Sequence, residues 1–293
     1  MKVIENVQEM QDFIKGARAK GLKIALVPTM GFLHDGHREL LKTGRGLGDV
    51  LVLSIFVNPA QFGTKEDFKT YPRDFEKDLR IAGECGVDCI FAPKAGDMYP
   101  EGYQTFVEVT EASKNLCGES RPGHFRGVAT VVLKLFNIVM PNKAIFGKKD
   151  YQQLVVIKRL AEDLNLGVEV IGVDTVREPD GLAMSSRNSY LTEAEREAAR
   201  CIPEALKEAE KGFLKGERDS GAVVGTVKKI IEKEPSAVVE YIKVCDKDTL
   251  ADLDRIEDGA LLAVAVRIGR ARLIDNRILG KDKEGGRSKK CSA

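Results

Sequence analysis

Two of the chain's three histidines stand three residues apart in Pro28-Thr29-Met30-Gly31-Phe32-Leu33-His34-Asp35-Gly36-His37. Imidazoles so spaced project to one side of a helix start, and each can donate a hydrogen bond to a phosphoryl oxygen. Gly31 and Gly36 carry no Cβ and let the backbone approach an anion closely. The competing interpretation is a helix cap with incidental histidines. A zinc site is poorer, because no cysteine or third ligand stands nearby, and no protein-held metal is expected. Before the decapeptide, Ile24-Ala25-Leu26-Val27 reads as a buried strand; after it, Arg38-Glu39-Leu40-Leu41-Lys42 can begin a helix. Such strand-to-helix crossings are where open parallel sheets bind ligands and where free helix N–H groups favour an anion.

Other residues with chemistry to offer fall at equivalent places. Asn58 and Gln61 lie in a loop enforced by Pro59 and Gly63, His124 and Arg126 in a glycine-punctuated loop, and Lys148, Lys149, Asp150 and Gln153 at the start of a helix. A lysine before a helix N-terminus gains nothing from the helix dipole unless an anion lies between them. Asp150 could instead cap that helix. Met184-Ser185-Ser186-Arg187-Asn188 offers two hydroxyls and a guanidinium beside flexible backbone, a set suited to phosphate. Convergence of such groups on one sheet edge is what a small-molecule site requires.

The elements that must position them alternate strand-like and helix-like patterns over the first two-thirds of the chain, which predicts a parallel α/β sheet. Strands are expected at 24–27, 50–57, 87–92, 105–109, 144–146 and 168–173, and helices at about 73–85, 128–140 and 151–164, although the valines of 128–140 leave a strand open there. The character then changes. Thr192-Glu193-Ala194-Glu195 is a capping box, a charged helix follows with Pro203 as its break, and strand-like runs at 238–245, 261–268 and 271–275 predict a small antiparallel sheet. The predicted organisation is a Rossmann-like domain over 1–175, a smaller α+β domain over 176–283 and a disordered tail over 284–293.

Composition narrows the function. The 293 residues suffice for two domains, and 46 basic residues against 45 acidic ones give a net charge of +1. No global electrostatic case exists for nucleic acid or membrane binding. Cys85, Cys89, Cys117, Cys201, Cys245 and Cys291 form no CxxC pair. With no signal-peptide region and no apolar run approaching the ~20 residues that span a bilayer, the expectation is a reduced, cytoplasmic protein.

His-x-Gly-His resembles the signature of the nucleotidyltransferase superfamily that includes class I aminoacyl-tRNA synthetases. The ordered set Pro-Thr-Met-Gly (28–31), His-Asp-Gly-His (34–37), Asn-Pro-Ala-Gln-Phe-Gly (58–63), Tyr-Pro-Arg (71–73), Arg-Pro-Gly-His-Phe-Arg-Gly (121–127), Lys-Asp-Tyr-Gln-Gln (149–153) and Met-Ser-Ser-Arg-Asn (184–188) closely resembles the pantothenate synthetase family. That resemblance implies ATP-dependent condensation of (R)-pantoate with β-alanine through a pantoyl-adenylate, releasing pyrophosphate and then AMP. It also implies a Rossmann-like domain with a small C-terminal lid, a homodimer, and Mg²⁺ carried with the ATP. Carried over by position, Met30, Gly31, Phe32, Leu33, His34, Asp35, Gly36 and His37 would line the ATP site, together with Gly147, Lys148, Lys149, Asp150, Val176, Met184, Ser185, Ser186 and Arg187. His34, His37 and Lys149 would be catalytic, with His37 as the proton donor. Gln61 and Gln153 would hold pantoate, and Gln61 would also lie near β-alanine. The family commonly has Glu where this chain has Lys148, which bears on the charge beside Lys149. Two alternatives stay open: another nucleotidyltransferase of the superfamily, which would not be expected to carry both glutamine segments, and a nucleotide-binding module without catalysis.

Overall fold

A computed structural model describes residues 1–64 and 66–280; the tail expected at 284–293 lies outside the described residues. Strands β1 (Lys2–Ile4), β2 (Ile24–Thr29), β3 (Val50–Ile55), β4 (Cys89–Phe91), β5 (Lys143–Gly147) and β6 (Glu169–Val173) form one sheet in the order β1-β4-β3-β2-β5-β6. Every neighbouring pair is parallel.

The period-two geometry of a strand explains why these segments read as unbroken apolar runs. Ile24, Leu26, Val52, Phe91, Ala144 and Phe146 face a core shared with the helices Val7–Ala19, His124–Val139 and Tyr151–Asp163. Their neighbours Ala25, Val27, Leu51, Leu53, Ile90 and Ile145 face a second core, built with Leu41 and Ile81 of the helices Asp35–Leu47 and Phe75–Glu84. Both faces are covered, so a polar residue in the middle of these strands would have nowhere to go.

From β2 the chain moves outward through β3 to β4, then returns to place β5 on the opposite side of β2. The order reverses between β2 and β5, and at that switch point the loops leaving the carboxyl ends diverge and open a crevice. The loop after β2 carries the histidine pair; the loop after β5 carries Lys148 and Lys149.

A second, antiparallel sheet consists of β7 (Ala237–Cys245), β8 (Gly259–Ile268) and β9 (Ala271–Gly280) in that order. The helices Cys201–Leu214 and Ser220–Ile231 bury Ile202, Leu206, Val227 and Ile231 against it. No disulfide joins the cysteines among the described residues.

Two expectations about the elements need correction, and one strand was not anticipated. Residues 105–109 join no sheet; Val107 donates its N–H to Thr130 Oγ1 at 3.0 Å, and Phe106 stacks against the Arg126 guanidinium at 4.2 Å. The alternation there comes from lying along the helix His124–Val139. Pro203 does not break the C-terminal helix: the break is at Arg200, between Glu193–Ala199 and Cys201–Leu214, and Pro203 sits in the first turn of the second helix, where a missing N–H costs nothing. Finally, β1 was not anticipated, since three residues, of which only Ile4 is buried, leave almost no periodic signal.

Candidate active site

At the switch point the chain forms a cleft of about 220 Å³. Its histidine wall is a turn held from behind. Gly31 and Phe32 both have left-handed backbone, φ +81° and +53°, which costs a non-glycine residue roughly 1–2 kcal/mol. The buried Asp78 carboxylate accepts from Phe32 N–H at 2.9 Å and Leu33 N–H at 2.7 Å. Hydrogen bonds to a charged group contribute roughly 1.5–3 kcal/mol each, so the carboxylate outweighs the strain. Burial pushes the Asp78 carboxyl pKa up while those two donors oppose the shift. A Cβ on Gly36 would stand 2.9 Å from His34 Cε1, so glycine there makes room for the imidazole.

His34 occupies the N-cap of the helix Asp35–Leu47 and donates its N–H to His37 Nδ1 at 3.2 Å. Capping and ligand-facing roles thus coexist in one turn. Because Nδ1 of His37 accepts, its proton resides on Nε2, leaving a neutral imidazole donor in the cleft wall. The two rings lie 4.0 Å apart. Burial, the neighbouring His34 and Lys149 hold His37 well below the usual imidazole range, and burial followed by Lys149 brings His34 down to about 4. Nδ1 of His34 is buried with no hydrogen-bond partner among the described residues.

Opposite, Asn58 is buried and fully engaged. Its Oδ1 accepts from Tyr99 Oη at 2.8 Å, and its Nδ2 donates to Gly127 O and to Gln61 Oε1, both at 3.1 Å. With Oε1 fixed as acceptor, Gln61 turns its amide nitrogen to Met30 Sδ at 3.1 Å, a weak acceptor that a carboxylate would displace. Gln153 lines the cleft, whereas Gln152 is spent on Ala112 O, Asn115 O and Cys117 N–H. His124 stands behind Gln61: Arg121 donates to its Nε2 at 3.0 Å, leaving Nδ1–H to donate to Gln61 O at 2.8 Å. Burial and then Arg121 lower its pKa to about 4.

The two lysines diverge. Lys149 lines the cleft, while Lys148 reaches across β6 to Asp174 at 2.9 Å and is absent from the cleft wall. Asp150 occupies the N-cap of Tyr151–Asp163 but makes no side-chain cap bond, correcting the capping expectation; its carboxylate borders the cleft near Lys149, 3.7 Å away. Arg187 donates from Nε and Nη2 to Asp67, at 3.0 and 2.9 Å, and lines the cleft.

Met30, His34, Gly36, His37, Gln61, Gly147, Lys149, Asp150, Gln153, Val176, Met184, Ser185, Ser186 and Arg187 therefore meet around one cavity. Gly31, Phe32, Leu33, Asp35 and Lys148 do not border it. Leu33 is in the core, Asp35 is exposed and pairs with Arg38 at 3.3 Å, and the Phe32 ring lies 5.1 Å from the Lys77 ammonium. Asp78 escaped sequence reasoning, although an acid sharing the inward face of its helix with Ile81 and Ala82 is a readable signal.

Three histidines kept neutral make stability acid-sensitive with a definite sign. Each binds its proton more weakly folded than unfolded, so its contribution is complete above the unfolded value of 6.5 and is lost as pH falls, towards about 4 for His34 and His124 and in the same direction for His37. The melting temperature should be flat between about pH 7 and 8 and fall below pH 6.5, with a shallower fall for His124→Asn. Identical slopes for variant and wild type in a thermal-melt series would contradict this.

The family model described as pantoate-beta-alanine ligase matches residues 2–278. A pantothenate synthetase of Geotalea uraniireducens is 56% identical over 282 residues, covering 96% of this chain and 100% of that one; that of Geobacter sulfurreducens is 54% identical with the same coverage. Among solved structures, pantothenate synthetase from Thermus thermophilus superposes with a TM-score of 0.90 at 41% identity, covering 96% of this chain and all of the other. A pantoate-beta-alanine ligase from Francisella tularensis, complexed with beta-gamma ATP and beta-alanine, gives 0.79 at 35% identity, covering 95% and 97%. With the parallel sheet, all but the last two residues of the antiparallel one and every cleft-lining residue inside the matched range, this chain belongs to the pantoate-beta-alanine ligase family.

Proposed function

We propose that this cleft carries out the family's ATP-dependent ligation in two half-reactions. The pantoate carboxylate attacks the α-phosphorus of ATP, the bond to the β-phosphate breaks and pyrophosphate leaves; the amine of β-alanine then attacks the acyl carbon of the pantoyl-adenylate, forming the amide and releasing AMP and a proton. The observation that carries this reading is the convergence of two glutamine amides with a phosphate-suited set of His37, Lys149 and Ser186 on one cavity.

The first half-reaction joins two anions, so the chain must supply opposing charge without reorganising at the moment of transfer. Lys149 supplies the cation. His37 Nε2–H and His34 donate hydrogen bonds to phosphoryl oxygens as neutral groups, so the donor role that the family resemblance gives His37 is hydrogen-bond donation, with the proton kept on Nε2 throughout. Ser185, Ser186 and the Arg187 guanidinium bind further oxygens, while Met30, Gly36, Gly147, Asp150, Val176 and Met184 enclose the nucleotide. Gln61 and Gln153 fix the pantoate carboxylate and hydroxyls for in-line attack, and Gln61 remains close to the incoming amine. Mg²⁺ would enter on the triphosphate, whose oxygens supply ligands to a cation that takes few from the protein.

The smaller domain expected over 176–283 serves, in its described residues 176–280, as a lid over the domain 1–175. Family resemblance also supports a cytoplasmic homodimer, and no described helix is long and apolar enough to cross a membrane. A solution mass equal to one chain would contradict the dimer. For the chemistry, labelled pyrophosphate should exchange into ATP with pantoate present and β-alanine absent; exchange that strictly requires β-alanine would exclude a free adenylate.

A further inference from the structure

We infer that Asn276, on the second sheet, is a positioning residue for adenylation that acts through Lys149, an inference resting on the phosphate role proposed for that lysine. Its side-chain nitrogen donates to Lys148 O at 3.0 Å and to Lys149 O at 2.8 Å. Both protons of one amide are thus used on consecutive carbonyls of the turn Lys148–Asp150, the segment from which the cleft lysine projects.

Peptide planarity makes this bond pair informative. In a trans peptide the C=O and the following N–H point in opposite directions, and no described peptide is cis. Drawing the carbonyls of Lys148 and Lys149 to β9 therefore turns the N–H groups of Lys149 and Asp150 away from it and fixes the direction of the Lys149 Cα–Cβ bond. The residue before Asn276 anchors the strand. Asp275, almost wholly buried, receives Arg177 in a two-point ion pair at 2.7 and 3.0 Å, and Arg177 also donates to Gly181 O at 3.1 Å. Adjacent residues of β9 thus grip the loop after β5 and the loop leading to Met184–Arg187. The second sheet does more than cover the cleft: it sets the register of two of its walls.

A positioning role predicts an effect confined to the rate and dependent on Lys149. Asn276→Ala should lower pantoate-dependent pyrophosphate exchange about 10-fold at saturating ATP and pantoate, with the KM for pantoate within about 2-fold of wild type; the same substitution in a Lys149→Ala background should cost less than about 2-fold more. Asn276→Asp, isosteric but unable to donate as a carboxylate, should be at least as slow as Asn276→Ala. A loss for Asn276→Ala that multiplies in full with that of Lys149→Ala, or a raised KM with an intact rate, would overturn the inference. So would an Asn276→Ala enzyme of normal rate beside a slow Lys149→Ala enzyme, which leaves the reading of Lys149 standing. A Lys149→Ala enzyme of wild-type rate would remove that reading and the route through it together.

Discussion

Lys149→Ala should lower the saturated rate of adenylation by several kcal/mol of activation free energy, roughly 10²-fold or more, while Lys148→Ala leaves it within about 3-fold. The two residues are adjacent cations, and sequence alone gives little reason to separate them. Geometry does. Lys149 lines the cleft and its charge bears on both histidines, whereas Lys148 extends over β6 to an Asp174 whose carboxylate is largely in water. An ion pair with so exposed a partner contributes about 0–1 kcal/mol and is screened by salt. Removing Lys148 therefore perturbs packing over Gly172 more than it perturbs charge at a phosphoryl group. Lys148→Glu, which places at 148 the acid that the family resemblance implies, should likewise keep the rate but face Asp174 with a like charge and lower the melting temperature. Adenylation rates for the three variants at saturating ATP and pantoate decide the matter. Equal losses at the two positions, or a larger loss at Lys148, would show that the register of the loop has been misassigned.

What sequence could and could not disclose follows from how local each feature is. The histidine turn was legible because its parts are contiguous: a strand apolar on both faces, two glycines and an i, i+3 pair need no distant residue to be understood. The strands at 24–29 and 50–55 were legible for the same reason. By contrast, the two carboxylates that stabilise the cleft from behind, Asp78 under the histidine turn and Asp275 under Arg177, act across 45 or more residues of chain. Each stands at a position where periodicity calls for an apolar residue, so the anomaly was visible but its partner was not. Asn276 shares with Ile274 and Ile278 the face of β9 that meets the first domain's core, and its partners, 127 or more residues away, are equally hidden in the sequence. Residues 105–109 show the reverse failure, where alternation was real and its cause was a helix underneath.

His37 carries the larger claim. Its ring is partly buried in the cleft wall, its Nδ1 is committed to the backbone of His34, and burial, His34 and Lys149 keep it uncharged, so a single Nε2–H is presented in a fixed direction. A neutral donor of this kind gains most when negative charge grows on the phosphoryl oxygens, and so should stabilise the transition state more than bound ATP. Loss of one preorganised donor commonly costs about 10²–10³ in rate. Because His37 is uncharged across the neutral range, the wild-type rate should also show no step near pH 6.5 from this group. The most direct measurement is single-turnover formation of pantoyl-adenylate by His37→Ala, paired with calorimetric titration of ATP into the same variant. The expected result is a saturated rate lower by about 10²-fold or more, with an ATP Kd within about 3-fold of wild type. A variant that binds ATP weakly yet forms the adenylate at the wild-type rate once saturated would contradict the account.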